Sequence, residues 1–215
     1  RLYEFSKEDP TRASAIENFV LNVALDAMIK EHQFWMREKS VVLRGKRNQT
    51  HTLNVYRALT VTPRPESHHE DTQTARGLPK SRSTPKQQQR RLAKFFMDVA
   101  TAAESGYDFS SRWFADPADM HSIRTTDLVP VDLNAILYRS ELIISELCGQ
   151  KGVTCREAKF AKLAHQRYLA INELLWSKEK ACWGDLDMTS GRVDPKRFYM
   201  SDMSPLWHGI APPNN

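Results

Sequence analysis

The sequence predicts an all-α fold with short β-hairpin excursions, and three observations lead there. Apolar residues recur at three- and four-residue steps along four long segments, the period of a helix with one buried face. The extended-looking stretches between them are short and bounded by turn-forming residues. No repeat of fixed period is evident, so the helices read as one architecture with decorated loops.

In chain order, the first helix runs from Ala15 to about Arg37, with Phe19, Val20, Val23, Ala27, Met28 and Phe34 along one stripe. Val41-Val42-Leu43 and the segment from Thr52 to Tyr56 read as two strands around the turn-prone Gly45 to Asn48. Pro63 to Pro85 is polar, holds four prolines and cannot be regular throughout. The second helix, Lys86 to Ala103, has the cleanest stripe: Leu92, Phe95, Phe96, Val99 and Ala103. A third starts near Asp132, a good N-cap, and continues through Leu133, Ile136, Leu137, Ile144 and Leu147. The fourth spans about Arg156 to Trp176 and carries Phe160, Leu163, Ala164, Ile171, Leu174 and Leu175. Beyond it, Ala181 to Met188 and Arg197 to Met200 suggest another small hairpin.

Composition narrows the function classes more than it chooses one. The 215 residues suffice for one substantial domain or part of a larger one, and 40% hydrophobic with 27% charged residues is ordinary for a globular protein. No apolar run approaches the length of a membrane span. The net charge of +5 comes largely from Lys80-Ser81-Arg82 and Lys86 to Arg91, which read as a solvated loop and helix start. These cations share a helix with an apolar stripe and lie far from most aromatics, so no nucleic-acid partner is expected. His68-His69-Glu70-Asp71 groups possible metal ligands, but adjacent histidines do not face one site; a solvated loop with no metal is expected there. Neither G-x-S-x-G nor a papain-like cysteine segment occurs.

Cys148, Cys155 and Cys182 form no C-x-x-C pair and read as structural thiols, although Cys148 and Cys155 could pair in an oxidising compartment. Asn48-Gln49-Thr50 is a glycosylation sequon that matters only in a secreted protein. The chain begins at Arg1 and stops after Ala211-Pro212-Pro213-Asn214-Asn215, which reads as an internal piece of a longer protein.

Chemistry concentrates in the loops. Ser105-Gly106-Tyr107-Asp108-Phe109-Ser110-Ser111-Arg112-Trp113 follows the second helix directly. Gly106 suits the left-handed residue that ends a helix, and it turns Asp108 out beyond the helix end. A carboxyl between Tyr107 and Phe109 loses solvation and holds its proton more firmly, as a general acid near neutral pH must. The plainer alternative has Asp108 capping the next turn and pairing with Arg112.

In Pro63-Arg64-Pro65-Glu66-Ser67, two prolines hold the backbone extended and set Arg64 and Glu66 on one side. A guanidinium supplies donors and a carboxylate acceptors, the combination that grips sugar hydroxyls. A surface turn with an incidental charge pair is the alternative. The third segment, Ile123 to Asn134, leads into the third helix, where Asp132 and Asn134 fit structural caps.

Taken in order, Arg64-Pro65-Glu66-Ser67, Ser105-Gly106-Tyr107-Asp108-Phe109-Ser110-Ser111-Arg112-Trp113 and Arg124-Thr125-Thr126 through Val129-Pro130-Val131-Asp132-Leu133-Asn134 resemble the trehalases of glycoside hydrolase family 37. The resemblance extends from about Met28 to Trp207, taking in Glu31-His32-Gln33-Phe34-Trp35-Met36 and Met203-Ser204-Pro205-Leu206-Trp207. It implies an (α/α)6 toroid, the six-hairpin glycosidase architecture, of which residues 1–215 would be a single incomplete catalytic domain. It implies an inverting hydrolase of α,α-trehalose that uses no cofactor or metal, with Asp108 as general acid. Arg64, Pro65, Glu66 and Gly106 would contact the sugar.

Tyr107 stands where the family usually has Trp, which bears on the shape of the pocket more than on its chemistry. The family's general base, a Glu in a Gly-rich segment, has no match in these residues, so the piece alone is expected not to turn over trehalose. The resemblance further implies a secreted or cell-surface protein, and no oligomeric state follows from it. Two rival readings remain: a catalytically inactive sugar-binding relative, and a non-enzymatic helical binding domain.

Overall fold

The computed structural model describes residues 13–79 and 84–213. Lys80-Ser81-Arg82, read as a basic loop, lies outside them. The four long helical segments are present. The first is α1, Ala13–Phe19, joined through a π-helical turn at Val20–Ala24 to α2, Leu25–Glu38. That turn changes the phase of the apolar stripe. Val20 and Leu25, five residues apart, are both buried, whereas Phe19, Val23 and Phe34 of the expected stripe are exposed.

Strands β1, Ser40–Arg44, and β2, Thr50–Asn54, pair antiparallel with Ser40 opposite Asn54 and Arg44 opposite Thr50. Val55 and Tyr56, expected in the second strand, fall outside it. The turn between them includes Asn48 in the left-handed region at φ 60°, where a short amide side chain is tolerated.

Between Pro63 and Pro85 a helix forms, α3 at His68–Arg76, where a polar loop was expected. The prolines explain how: Pro63 and Pro65 precede it and Pro79 follows it, so none removes a helical hydrogen bond. Helix α4, Pro85–Glu104, starts in a capping box, Thr84 accepting from the Gln87 amide and Gln87 from the Thr84 amide, with proline at the first position.

Helices α5, Val131–Gln150, and α6, Thr154–Leu174, form a hairpin turned at Gly152, whose φ is 76°. Asp132 is not the N-cap of α5. Pro130 holds that position and the helix begins at Val131, so Asp132 sits buried in the first turn, held in an ion pair with Arg112.

Helix α6 ends at Leu174, because Trp176–Ser177 is drawn into β4, paired with β5 at Cys182–Trp183. A three-stranded sheet runs β3 (Leu128–Val129), β6 (Leu186–Asp187), β7 (Arg192–Val193). Arg197 to Met200, expected as a hairpin strand, is not one. Asp202 Oδ2 accepts from the Tyr199 amide at 3.0 Å and from Lys180 Nζ at 2.6 Å, folding the segment locally into a 3-10 turn at Met200–Met203 that leads into α7, Ser204–Trp207.

Three apolar clusters hold these elements. Leu53, Val131, Ile171, Leu175 and Trp183 join β2, α5 and α6 to the small hairpins. Phe95, Phe96, Val99, Trp113, Leu133 and Leu137 join α4 to α5 beneath the loop that follows α4. Val20, Leu25, Ile144, Leu147 and Phe160 tie the first helical segment to the α5–α6 hairpin. All three cysteines are free: Cys148 buried, Cys182 half-buried and Cys155 exposed, the last not the buried thiol expected.

Candidate active site

The loop after α4 is built by short-range bonds that its sequence specifies. Gly106 takes φ 74° and its amide donates to the Ala103 carbonyl at 3.1 Å, which ends the helix as expected. Ser105 Oγ donates to the Ala102 carbonyl at 2.6 Å and accepts from the Tyr107 amide at 3.0 Å. Ser110 then caps a 3-10 turn at Ser111–Trp113, accepting from the Arg112 amide. The Trp113 indole, fully buried, reaches back to donate to the Tyr107 carbonyl at 2.8 Å. Both ends of the Gly106–Phe109 segment are therefore tied to ordered structure.

Asp108 lies at the crest of this segment and is exposed, with no hydrogen-bond partner among the described residues. The sequence led us to expect a carboxyl sheltered by its aromatic neighbours. Both rings instead turn onto arginines, Tyr107 over Arg112 with its Cζ 5.3 Å from the ring centroid and Phe109 over Arg64 at 5.0 Å. Phe109 adopts φ 59°, a left-handed conformation rare for a large residue.

Asp108 does not pair with Arg112, which is wholly engaged elsewhere. Arg112 is 4% exposed and sits between two carboxylates. Its Nε and Nη2 donate to Asp185 at 2.6 and 2.7 Å, and its Nη1 and Nη2 to Asp132 at 3.1 and 2.7 Å. Asp185 Oδ1 also accepts from the Val131 amide at 2.9 Å, which seats the start of α5 in the same cluster. Burial disfavours the Arg112 charge, but Asp185 and Asp132 outweigh it and hold the guanidinium firmly protonated. Burial, and next the field of Asp132, push the nearby Tyr56 phenol well above its ordinary value.

Arg64 precedes α3 in extended backbone, φ −63° and ψ 137°, and is 9% exposed. Pro65 to Ser67 then coil into a 3-10 turn rather than staying extended. Arg64 is consequently buried while Pro65 and Glu66 are exposed, so the two charged side chains do not project alike. Asp71, one turn into α3, takes both Arg64 Nε and Nη2 at 3.0 and 2.8 Å. This hydrogen-bonded carboxylate keeps Arg64 protonated against the opposing effect of burial, with smaller help from the charges of Glu66 and Asp108.

The structure thus brings Arg64 beside the loop of Asp108 through Phe109, with Gly106, Pro65 and Glu66 exposed on the same segments. Sequence reasoning missed Asp71, Asp132 and Asp185 as partners of the two arginines. Asp185 lies 73 residues from Arg112, so no local pattern joins them. Arg64 and Asp71 are seven apart, and a helix across His68 to Arg76 would have been the signal.

The third segment is spent internally. Arg124 pairs with Asp187, Thr126 bonds to Asp98 of α4 through its amide and hydroxyl at 2.8 and 2.6 Å, and Asn134 Oδ1 accepts from the Asn54 amide at 2.9 Å.

Fold and site together define a helical scaffold that presents the exposed carboxyls of Asp108 and Glu66 on segments meeting at the Asp71-bound guanidinium of Arg64. The comparisons give this scaffold a family. A family model described as trehalase matches residues 11–215. The chain is 35% identical over 188 residues to a trehalase of Oryctolagus cuniculus, covering 86% of this chain and 31% of that protein. It is 31% identical over 226 aligned positions to a trehalase of Arabidopsis thaliana, covering 96% of this chain and 35% of that one. A periplasmic trehalase of Salmonella paratyphi A is 34% identical over 176 residues, 79% of this chain and 29% of that protein. The chain belongs to the trehalase family, and it spans about a third of the length of the curated relatives it matches.

Proposed function

We propose that the protein hydrolyses α,α-trehalose to two glucoses with inversion, and that Asp108 is its general acid. In this reading the protonated Asp108 carboxyl gives its proton to the glycosidic oxygen as the C1–O bond breaks. A water on the opposite face attacks C1 and loses its proton to a second carboxylate about 6.5–9.5 Å from the first. That base is supplied from outside these 215 residues, whose helices form part of an (α/α)6 toroid closed by the remainder. Arg64 donates to substrate hydroxyls, Glu66 accepts from them, and Pro65 and the Gly106 backbone complete the sugar contact. Phe109 and Tyr107 close on the arginines and leave Asp108 open toward the substrate. The shelter such an acid needs then comes from bound sugar and from the rest of the domain.

The observation that carries this reading is the family match across nearly the whole chain, joined to the contact at which the Asp108 loop meets Arg64. A secreted or cell-surface location accords with the periplasmic relatives in Salmonella. Among the described residues no helix is long and apolar enough to cross a membrane.

The test is glucose release from trehalose by the complete gene product beside its Asp108→Asn variant. Asparagine keeps the shape and cannot donate the proton, so kcat is expected to fall by at least about 100-fold. A variant as fast as its parent removes Asp108 from the mechanism. A parent that binds trehalose without cleaving it moves the assignment to a sugar-binding relative.

A further inference from the structure

Asp71 is 4% exposed and turned away from solvent, so it is placed to act on a substrate only through another residue. Its carboxylate is committed to Arg64 alone among the described residues. Oδ2 accepts from the Arg64 backbone amide at 3.0 Å and from Nε at 3.0 Å, while Oδ1 accepts from Nη2 at 2.8 Å. Two parallel bonds to one edge fix the plane and roll of a guanidinium, and the third bond fixes its backbone.

Phe109 restrains the remaining freedom. Its ring lies over the guanidinium with the Cζ 5.0 Å from the ring centroid, and it reaches that place from a left-handed backbone at φ 59°. A strained residue persists only where its surroundings hold it, and such residues cluster at functional sites. Of the Arg64 nitrogens, Nη1 alone has no hydrogen-bond partner among the described residues. Burial pushes the Asp71 carboxyl up, but the Arg64 bonds more than reverse this and keep it ionised.

We propose that Asp71 is a positioning residue, which with the Phe109 ring holds Arg64 so that its Nη1 edge is offered to substrate hydroxyls in fixed register with Asp108. The proposal rests on the reading of Arg64 as a sugar-binding residue and goes beyond it in saying what orients that residue. Because Phe109 follows Asp108 directly, the same contact that restrains the clamp also sets the acid's place relative to it. A clamp ordered before the sugar arrives spends less of the binding energy on ordering itself.

The experiment is a double-mutant cycle on the complete gene product: parent, Asp71→Asn, Arg64→Ala and the pair together, read as kcat and KM for glucose release from trehalose. Asp71→Asn keeps the size and loses the charged bidentate grip. A fall in kcat/KM of about 10- to 100-fold is expected, most of it in KM, with the thermal midpoint moved far less than a general loss of folding would move it. In the Arg64→Ala background the same substitution should change kcat/KM by less than about twofold, since the clamp it orients is gone.

Independent, multiplying effects would overturn the proposal, as would a parental KM in Asp71→Asn where Arg64→Ala is impaired. If Arg64→Ala itself is harmless, the sugar-clamp reading falls instead. If the parent binds but does not cleave, the cycle is read in trehalose affinity by calorimetry. Should Asp71→Asn not fold, Phe109→Leu replaces it. It removes the aromatic face alone, and a KM unchanged from the parent's would equally overturn the proposal.

Discussion

Arg112 is the residue on which the architecture behind the candidate acid converges. It lies 4.3 Å from the Trp113 ring centroid, is covered on another side by Tyr107, and donates to carboxylates from α5 and from the turn between β5 and β6. Each partner on its own would be a costly buried charge, and together they satisfy one another. The arrangement therefore matters most when it is broken. Replacing Arg112 by Met leaves Asp132 and Asp185 buried without a counterion, and a loss of about 3–5 kcal/mol is expected from urea unfolding. A loss below about 1 kcal/mol would mean that solvent already screens the pair of carboxylates. On the proposed role of Asp108, glucose release by the complete gene product carrying this change should fall too, because the Arg112 guanidinium anchors the Tyr107 ring and with it the segment that carries Asp108.

The elements show how local instructions and long-range ones differ. Gly106 ends α4 because only its lack of a Cβ makes φ 74° inexpensive, and open space surrounds the place where a Cβ would go. Gly106→Ala should accordingly cost about 1–2 kcal/mol through backbone conformation, with no steric term. Gly106→Asn should cost less, since asparagine visits that region more readily, and equal losses for both in urea unfolding would point to a cause other than φ.

Such features were legible in the sequence: the helix stop at Gly106, the stripe of Phe95, Phe96 and Val99, and the hairpin around Gly45 to Asn48 are each written within a few residues. The π turn at Val20–Ala24 was not, because a five-residue step looks the same as noise in a three- and four-residue pattern. The helix at His68–Arg76 was hidden by its own polarity: it carries little apolar stripe, and what anchors it is Asp71 on Arg64. Of the candidate site, the sequence marked Gly106, Asp108, Pro65 and Glu66, which are exposed, and Arg64, which is buried. The pairing of Asp132 and Asp185 with Arg112 became visible only when separate segments met, and that of Asp71 with Arg64 only once His68–Arg76 was a helix.

At the scale of the whole molecule, the helical pieces are locked together by a buried polar network. Arg167 of α6 donates through Nε and Nη2 to Glu141 of α5, at 3.0 and 2.8 Å, and through Nη1 to Asn54 of β2 and Asn134 of α5, both at 2.9 Å. His32 of α2 approaches Glu141 Oε1 at 2.9 Å with its Nε2. One arginine thus joins the α5–α6 hairpin, the first hairpin and the first helical segment, all at positions almost closed to water. A network of this kind raises stability only while every member is paired, so it makes the assembly of these elements cooperative.

Its pH response follows from Glu141. Burial pushes that carboxyl up, yet His32 and Arg167 together pull it further down, so its value in the folded chain lies below the ordinary 4.5. A carboxyl depressed by folding stabilises above its unfolded value and loses that contribution as pH falls through the folded one. Glu141→Gln should therefore cost about 3–5 kcal/mol at neutral pH, where it strands Arg167. The gap between variant and parent should then narrow as pH falls below about 4.5, once the parent's own Glu141 takes up a proton. Urea midpoints for the two proteins across the acid range measure this directly. A gap that stays constant through that range would assign the network's contribution to packing rather than to charge.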